Sequence, residues 1–432
     1  MNTTTEQNKN RIVPIIMMIA LFGMIAFVTN LAAPMGLVLK QQFAVSNFLG
    51  LLGNLANFIA YAVMGIPGGI LLQRVGYKKT ALIAIVIGFL GVFVQFLSGH
   101  SPESAAFAVY LLGAFIAGFS MCLLNIVVNP MLNTLGGGGN KGNQLIQVGG
   151  SFNSVMATFT PAFVGILIGE AASARISDVF PVMYIAMGVF ALVFLVLLAV
   201  NIPEPHVAKT KESMGSLMSG ALKFRHFVLG AVAIFVYVGV EVGTPYIMQY
   251  WLTDVPSVGA TIAGFVTGTY WFLMLIGRLL GASLGSKISS KTMLSTLSLV
   301  GLILVSAAIF SPTTNEVALP VLQRSAAGAL SFGLAQVPIN ALFIVLVGLC
   351  TSIMWGSIFN LAVEGLGKYT PAASGIFMTM VCGGGILPAL QGGIADSVGY
   401  IASYWVIIAG LAYLLFYGLV GSKVTKRAPE SE

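Results

Sequence analysis

The sequence has very little charge. Its 20 basic and 13 acidic residues make up only 8% of 432 residues, whereas a soluble domain carries roughly 25%. So few charged side chains cannot cover the water-exposed surface of a chain of this length. Lipid must therefore surround most of the exterior, which excludes a soluble enzyme and a disordered chain.

Cysteine and histidine are also scarce, with three of each. Cys122, Cys350 and Cys382 lie singly in apolar runs, without CxxC spacing or a nearby histidine cluster. This distribution argues against a disulfide scaffold, a redox centre and a metal site. We therefore expect neither a metal nor a cofactor. A membrane-embedded enzyme is also disfavoured, because the histidines fall in loops or at span ends.

Long apolar runs are abundant instead. About 20 apolar residues cross the ~30 Å hydrocarbon core of a bilayer, and twelve segments are long enough. They cover residues 12–39, 48–72, 80–98, 106–133, 144–169, 179–201, 225–252, 258–284, 292–311, 337–363, 372–394 and 401–421. The connection 312–336 is weakly apolar, and we expect part of it to form a short interfacial or re-entrant helix.

The spans divide into two similar halves. The fifth span contains Pro161-x-x-x-Gly165, and the eleventh contains Pro388-x-x-x-Gly392. The sequence therefore predicts an all-α integral membrane protein, with 12 transmembrane helices in two pseudo-symmetric six-helix bundles. The predicted domains are residues 1–201, a polar cytoplasmic linker at 202–223, and residues 224–432.

Lysine and arginine predict the orientation. If both termini are cytoplasmic, 17 of the 20 cations lie inside, and only Lys40, Arg175 and Arg324 lie outside. The positive-inside rule favours this topology strongly. It also accounts for the basic pI without nucleic-acid binding. We expect a multi-pass membrane protein and a monomer.

Particular motifs resemble a known family. The loop Gly69-Ile-Leu-Leu-Gln73-Arg74-Val-Gly76-Tyr-Lys78-Lys79 resembles the major facilitator superfamily. Further segments resemble its fucose/glucose–galactose permease branch, especially Gly365-Leu-Gly-Lys368-Tyr-Thr370 and Ala395-Asp396-Ser-Val-Gly399. The resemblance implies alternating access and transport of a monosaccharide or a similar polyol across a bacterial inner membrane.

The chain departs from that branch at coupling positions. The superfamily usually has Asp where this chain has Gln73. Fucose-type members use an Asp in the first span and a Glu in the fourth, and the aligned positions here are Ala33 and Asn125. The resemblance therefore leaves open the sugar and the coupling, whether symport with H+ or Na+ or uniport.

Glu241 is the only carboxylate deep within a predicted span. A charge at mid-membrane costs about 2.5–3.5 kcal/mol on insertion scales, so such residues usually serve function. We predict a role in ion coupling or in binding sugar hydroxyls. A static hydrogen bond to a neighbouring helix is the alternative.

Amide and aromatic side chains suit a sugar. Amides match hydroxyl groups because each has a donor and an acceptor, and rings stack on the apolar faces of a pyranose. Bonding and packing between helices would be the non-functional alternative. The predicted substrate-binding residues are Asn30, Asn54, Asn57, Asn125, Asn129, Gln147, Asn153, Tyr237, Glu241, Tyr270, Trp271, Trp355 and Asn360.

Four cations are predicted to act in gating at the inner ends of the helices. They are Arg74, Lys78, Lys79 and Arg278. For Arg278 we expect pairing with helix-end carbonyls or with Glu364.

The favoured function is therefore a secondary transporter of a small neutral polyhydroxy solute, such as fucose, glucose or galactose. An exporter of drugs or other metabolites is the first rival, but it predicts an apolar cavity with acidic residues. A sensor or scaffold without flux is the second rival. The glycine run 136–139 lacks the Gly-Lys-Ser/Thr ending of a phosphate loop, so primary active transport has no support.

Overall fold

Twelve helical segments of the computed structural model are long and apolar enough to cross a membrane. The structure describes residues 2–136, 139–168, 174–202, 214–284, 288–324 and 330–428. The spans are Ile12–Gln42, Leu52–Val75, Tyr77–Ser98, Glu103–Leu132, Val148–Leu167, Ile176–Ala199, Arg225–Thr253, Gly259–Gly281, Ser290–Phe310, Ile339–Val363, Ala372–Val398 and Tyr400–Gly421. Each overlaps its predicted counterpart, so the predicted fold class is confirmed.

The helices of the first half are α1 (Asn2–Asn30), α2 (Ala32–Gln42), α3 (Asn47–Gly50), α4 (Leu52–Val75), α5 (Tyr77–Ser98), α6 (Glu103–Leu135), α7 (Gly139–Ile168) and α8 (Phe180–Ala199). Those of the second half are α10 (Arg225–Thr253), α11 (Gly259–Leu284), α12 (Ser290–Phe310), α13 (Ile339–Thr351), α14 (Met354–Val363), α15 (Thr370–Met380), α16 (Gly383–Val398), α17 (Tyr400–Ser403) and α18 (Trp405–Phe416). Short 3-10 turns cover Ile176–Val179 and Gly367–Tyr369, and a π-helical turn covers Tyr417–Gly421.

Proline explains the break in the first span. α1 ends at Asn30, and α2 begins at Ala32. Pro34 has no N–H to donate to the carbonyl of Asn30, which removes one bond of the helical ladder. The first span therefore consists of two helices that meet at Leu31.

The halves meet through glycine-lined seams. α7 packs on α11, and α4 packs on α15 and α16. A Cβ at Gly264 would lie 2.7 Å from the Pro161 carbonyl oxygen, and one at Gly385 would lie 2.9 Å from the Leu55 Cα. Small residues thus let the backbones of opposite halves approach closely.

The chain between the halves is only partly described. Residues 203–213 of the predicted linker lie outside the described residues. The following residues form a short helix, α9 (Met214–Ala221). Because twelve spans are an even number, both termini lie on one face of the bundle, here called the terminal face. The other is called the opposite face.

A β-hairpin follows α12. β1 (Glu316–Arg324) pairs antiparallel with β2 (Leu330–Pro338), with Glu316 opposite Pro338. The expected short helix within 312–336 was therefore wrong for the described residues. Leu319, Val321, Ala335 and Val337 are buried, whereas Phe332 and Leu334 are exposed. This alternation has the period of two that is typical of a strand.

Candidate functional site

A cavity of about 200 Å³ lies between the two halves. The first half contributes walls from α1, α4, α6 and α7, and the second half from α10, α11, α14 and α15. Because both halves line it, any movement of one against the other reshapes the cavity. Its polar and aromatic lining residues are Asn30, Asn125, Asn129, Asn153, Glu241, Arg278, Ser352, Thr29, Phe22, Phe58, Tyr61, Trp271 and Trp355.

Three lining asparagines of the first half are held by neighbouring groups. The Asn125 amide donates to the Tyr61 hydroxyl at 3.0 Å, and the Asn129 amide donates to the Asn125 carbonyl at 3.0 Å. The Asn153 amide donates to the Phe22 carbonyl at 3.1 Å. These bonds orient the side chains, so the cavity wall carries amides in defined positions.

Two lining groups keep unused hydrogen-bonding capacity. The Asn30 amide nitrogen donates to the Ala26 carbonyl at 2.9 Å. Within the part of the chain that the structure describes, the Asn30 Oδ1 and the Trp271 Nε1 have no protein partner. Both residues line the cavity, although the two atoms themselves are buried. A hydroxylated ligand that reached them would satisfy both groups.

Glu241 and Arg278 form an ion pair in the cavity wall. Arg278 Nη2 lies 3.5 Å from Glu241 Oε1, and the two side chains are 15% and 14% exposed. Arg278 Nη1 also donates to the Gly150 carbonyl at 2.7 Å and to the Ser154 hydroxyl at 2.8 Å. Gly150 and Ser154 lie on α7, so Arg278 joins the two halves.

Of the two partners expected for Arg278, a helix-end carbonyl is confirmed, because Arg278 Nε donates to the Ser352 carbonyl at the end of α13 at 3.4 Å, and Glu364 is wrong. Glu364 pairs with Arg427 at 3.1 Å. Arg278 lies six residues before the end of α11 at Leu284, which is about 9 Å along a helix. At that depth the guanidinium reaches the cavity rather than the rim.

Two predicted tyrosines lie behind the cavity wall. The Tyr270 hydroxyl donates to the Glu241 carbonyl at 3.1 Å, and the Tyr237 hydroxyl donates to the Thr351 carbonyl at 3.1 Å. The Glu241 carbonyl lacks its helical partner because the residue four positions later is Pro245. Tyr270 thus steadies the backbone that carries Glu241.

Asn54 and Asn57 are buried on α4 but do not line the cavity. The Asn54 amide donates across the seam to the Gly384 carbonyl at 2.8 Å. That carbonyl is available because Pro388, four residues later, has no N–H. Asn54 therefore joins the two halves.

The other candidates are dispersed. Asn360 is exposed and lies outside the cavity, while the side chain of Gln147 lies outside the described part. The sequence reasoning did not include Tyr61, although it follows Asn54 and Asn57 at helical spacing on α4. That spacing could have identified it.

The remaining predicted gating cations lie at the terminal face. Lys78 Nζ donates to the Leu198 and Val200 carbonyls at 2.9 and 2.8 Å, at the end of α8. Arg74 and Lys79 are exposed. These two contacts of Lys78 join helices of the first half to one another.

At the opposite face, polar side chains join the halves. Lys40 Nζ lies 2.7 Å from Asp254 Oδ2 and 2.9 Å from the Tyr400 hydroxyl. The Tyr400 hydroxyl in turn donates to Asp254 at 2.6 Å. Lys40 belongs to the first half, and the other two residues belong to the second.

Asp396 adds a second connection at this face. Its two carboxylate oxygens accept the backbone N–H groups of Asn47 and Phe48 at 2.8 and 2.9 Å. These N–H groups lie in the first turn of α3, where backbone N–H groups have no acceptor within the helix. We call the six residues of both connections the opposite-face latch: Lys40, Asn47, Phe48, Asp254, Asp396 and Tyr400.

The fold and the cavity define a two-bundle membrane carrier with a polar chamber between its halves. The chain belongs to the Major Facilitator Superfamily, whose family profile matches residues 15–387.

Curated relatives cover nearly the whole chain. A glucose/galactose transporter of Brucella abortus (strain 9-941) is 28% identical, over 98% of this chain and 97% of the relative. The L-fucose-proton symporter of Escherichia coli (strain K12) is 24% identical, over 91% and 90%. A crystal structure of the E. coli fucose:proton symporter FucP has the same fold, with a TM-score of 0.68 at 20% identity, covering 96% and 100%.

Proposed function

We propose that this protein is a secondary transporter that carries a monosaccharide across the membrane by alternating access. The relatives named as glucose/galactose transporters and fucose-proton symporters support a hexose substrate. The latch at the opposite face supports a carrier whose halves separate at one face at a time.

The chemistry of the central cavity carries this proposal. Amides on one wall face indole rings and an ion pair on the other. A sugar combines many hydroxyl groups with apolar C–H faces, and these match amides and rings respectively. The two lining charges, Glu241 and Arg278, are opposite and paired, so the cavity suits a neutral solute better than a charged one.

The same pair gives Glu241 a role in coupling. A proton or another cation that neutralises Glu241 would release Arg278 from one of its partners, and Arg278 also holds α7 of the other half. Coupled transport requires that ion and solute share free energy across the conformational states. If no ion takes part, the resident Arg278 keeps Glu241 neutralised, and the protein works as a uniporter.

The membrane orientation is also part of the proposal. Both termini lie in the cytoplasm, because most lysine and arginine residues then lie inside. The latch then closes the external face, and the cavity is approached from the cytoplasm.

Uptake by proteoliposomes tests the function. Purified protein is reconstituted, and labelled glucose, galactose and fucose are offered with a proton gradient, a sodium gradient or neither. We expect saturable uptake of at least one hexose.

Two asparagine variants sharpen the experiment. Asn153→Ala removes a cavity amide, whereas Asn360→Ala removes an exposed amide outside the cavity. We expect the first to raise the half-saturating sugar concentration and the second to leave it unchanged. Absence of hexose flux from folded, reconstituted protein would contradict the proposal.

A further inference from the structure

A second cavity, of about 480 Å³, lies between α7 of the first half and α11 and α13 of the second. Leu319, Pro320 and Phe332 of the β-hairpin form another wall. We call this cavity the flank pocket. Its walls on α7 and α11 lie inside the membrane spans Val148–Leu167 and Gly259–Gly281, so hydrocarbon is the solvent at this depth.

The described walls of the flank pocket offer no free side-chain hydrogen-bond donor. Its two hydroxyl groups already donate to carbonyls of their own helices, Thr158 to Ser154 at 2.8 Å and Thr269 to Phe265 at 3.0 Å. The other lining side chains are apolar. A buried water needs two to four polar partners, so neither water nor a sugar suits this pocket.

The size of the pocket argues against an empty space. Protein interiors leave few voids larger than a water molecule, and an apolar cavity of only about 150 Å³ already binds benzene or xenon. Phe159 and Phe332, at the edge of the pocket, are 43% and 71% exposed. Its mouth therefore opens on the side of the bundle that lipid covers.

We propose that the flank pocket binds an acyl chain of a bilayer phospholipid. The hairpin bounds the pocket on one side, with Leu319 buried against the bundle and Phe332 exposed at the mouth. The pocket is thus a site with a defined boundary, and its occupant differs from lipid that only coats the exterior.

The bound chain touches both halves at a close seam. A Cβ at Gly268 of α11 would lie 2.7 Å from the Thr158 carbonyl oxygen of α7. An acyl chain beside this contact favours whichever arrangement of the halves it fits better. This consequence for transport rests on the proposed alternating access, whereas the binding of the chain does not.

Photolabelling tests the binding directly. The full-length protein is reconstituted with a phosphatidylethanolamine that carries a diazirine within one acyl chain, and labelled peptides are located by mass spectrometry. We expect saturable label on Phe159 and Phe272, with competition by unlabelled phosphatidylethanolamine. Thr269→Phe fills the pocket from α11, and Leu346→Trp fills it from α13.

We expect each filling variant to reduce the saturable label about tenfold, the equivalent of ~1.4 kcal/mol. Ile303→Phe is the matched control, because Ile303 is 62% exposed and lies outside the pocket; its label should match that of the unaltered protein. Non-saturable label spread over exposed positions such as Leu192 and Phe310 would overturn the proposal. Label that an alkyl detergent displaces but unlabelled phosphatidylethanolamine does not would also overturn it. These measurements test acyl-chain binding in the flank pocket even if no hexose is transported.

Discussion

Replacing Asp396 by Asn should release part of the latch and move the protein toward a state that is open at the opposite face, which the proposed orientation places outside. Asp396 accepts two backbone N–H groups across the halves, at 2.8 and 2.9 Å. Hydrogen bonds to a charged group contribute roughly 1.5–3 kcal/mol each, but solvent around the exposed carboxylate reduces this contribution. An asparagine keeps one acceptor oxygen and places an amide donor against the second N–H.

We therefore expect a net loss of about 1–2 kcal/mol from the closed state. Since 1.4 kcal/mol corresponds to a tenfold change, the ratio of open to closed protein should rise about 5–30-fold. Val242 lines the central cavity, so Val242→Cys provides a reporter for a membrane-impermeant maleimide applied outside intact cells. The three native cysteines are buried.

Asp178→Asn is the control for Asp396→Asn. Asp178 is also exposed at the opposite face, but it accepts the backbone N–H of Arg175, within the first half, at 2.8 Å. Its replacement should leave the labelling rate of the reporter unchanged. If Asp396→Asn labels no faster than this control, the latch does not hold the opposite face closed.

Three further predictions concern the cavity. Trp271→Phe keeps a ring but removes the unpaired indole N–H, so the half-saturating sugar concentration should rise about three- to tenfold; an unchanged value would show that the N–H does not contact the sugar. Arg278→Gln leaves Glu241 without its partner and should destabilise the protein by about 3 kcal/mol. Thermal unfolding in detergent measures this loss, and adding Glu241→Gln should restore most of it; failure of the double variant to recover would argue against the ion pair. Glu241→Gln alone should abolish gradient-driven accumulation while leaving sugar exchange, and unchanged accumulation would remove Glu241 from coupling.

Several site residues could be predicted because their chemistry is unusual for their surroundings. Exposing Glu241 or the asparagines of α6 to lipid would cost free energy, so these side chains were expected to face inward. Asn125 and Asn129 are four residues apart, which places them on one face of a helix, and both line the cavity. The hairpin could not have been recognised in this way, because Leu319 and Val321 alternate with Ala318, Pro320 and Leu322, which are also apolar.

Other features depend on contacts between distant segments. Asn54 reaches Gly384 only because a proline in the other half frees that carbonyl. Arg278 pairs with Glu241 rather than Glu364 because of its depth in α11 and the approach of α7. The latch joins Lys40 to Asp254, more than two hundred residues later in the chain. The periodicity of residues within one helix does not predict these contacts between distant segments.

By itself, the amino-acid sequence determined the solvent, the number of spans and the kinds of side chain that a membrane protein buries at a cost. Those properties follow from local composition, because about 20 apolar residues cross a bilayer wherever they occur. Only the tertiary structure decided which amides converge on one chamber, which cation meets Glu241 and which face is closed. These outcomes depend on the rotation and approach of helices, and packing between the two halves sets both.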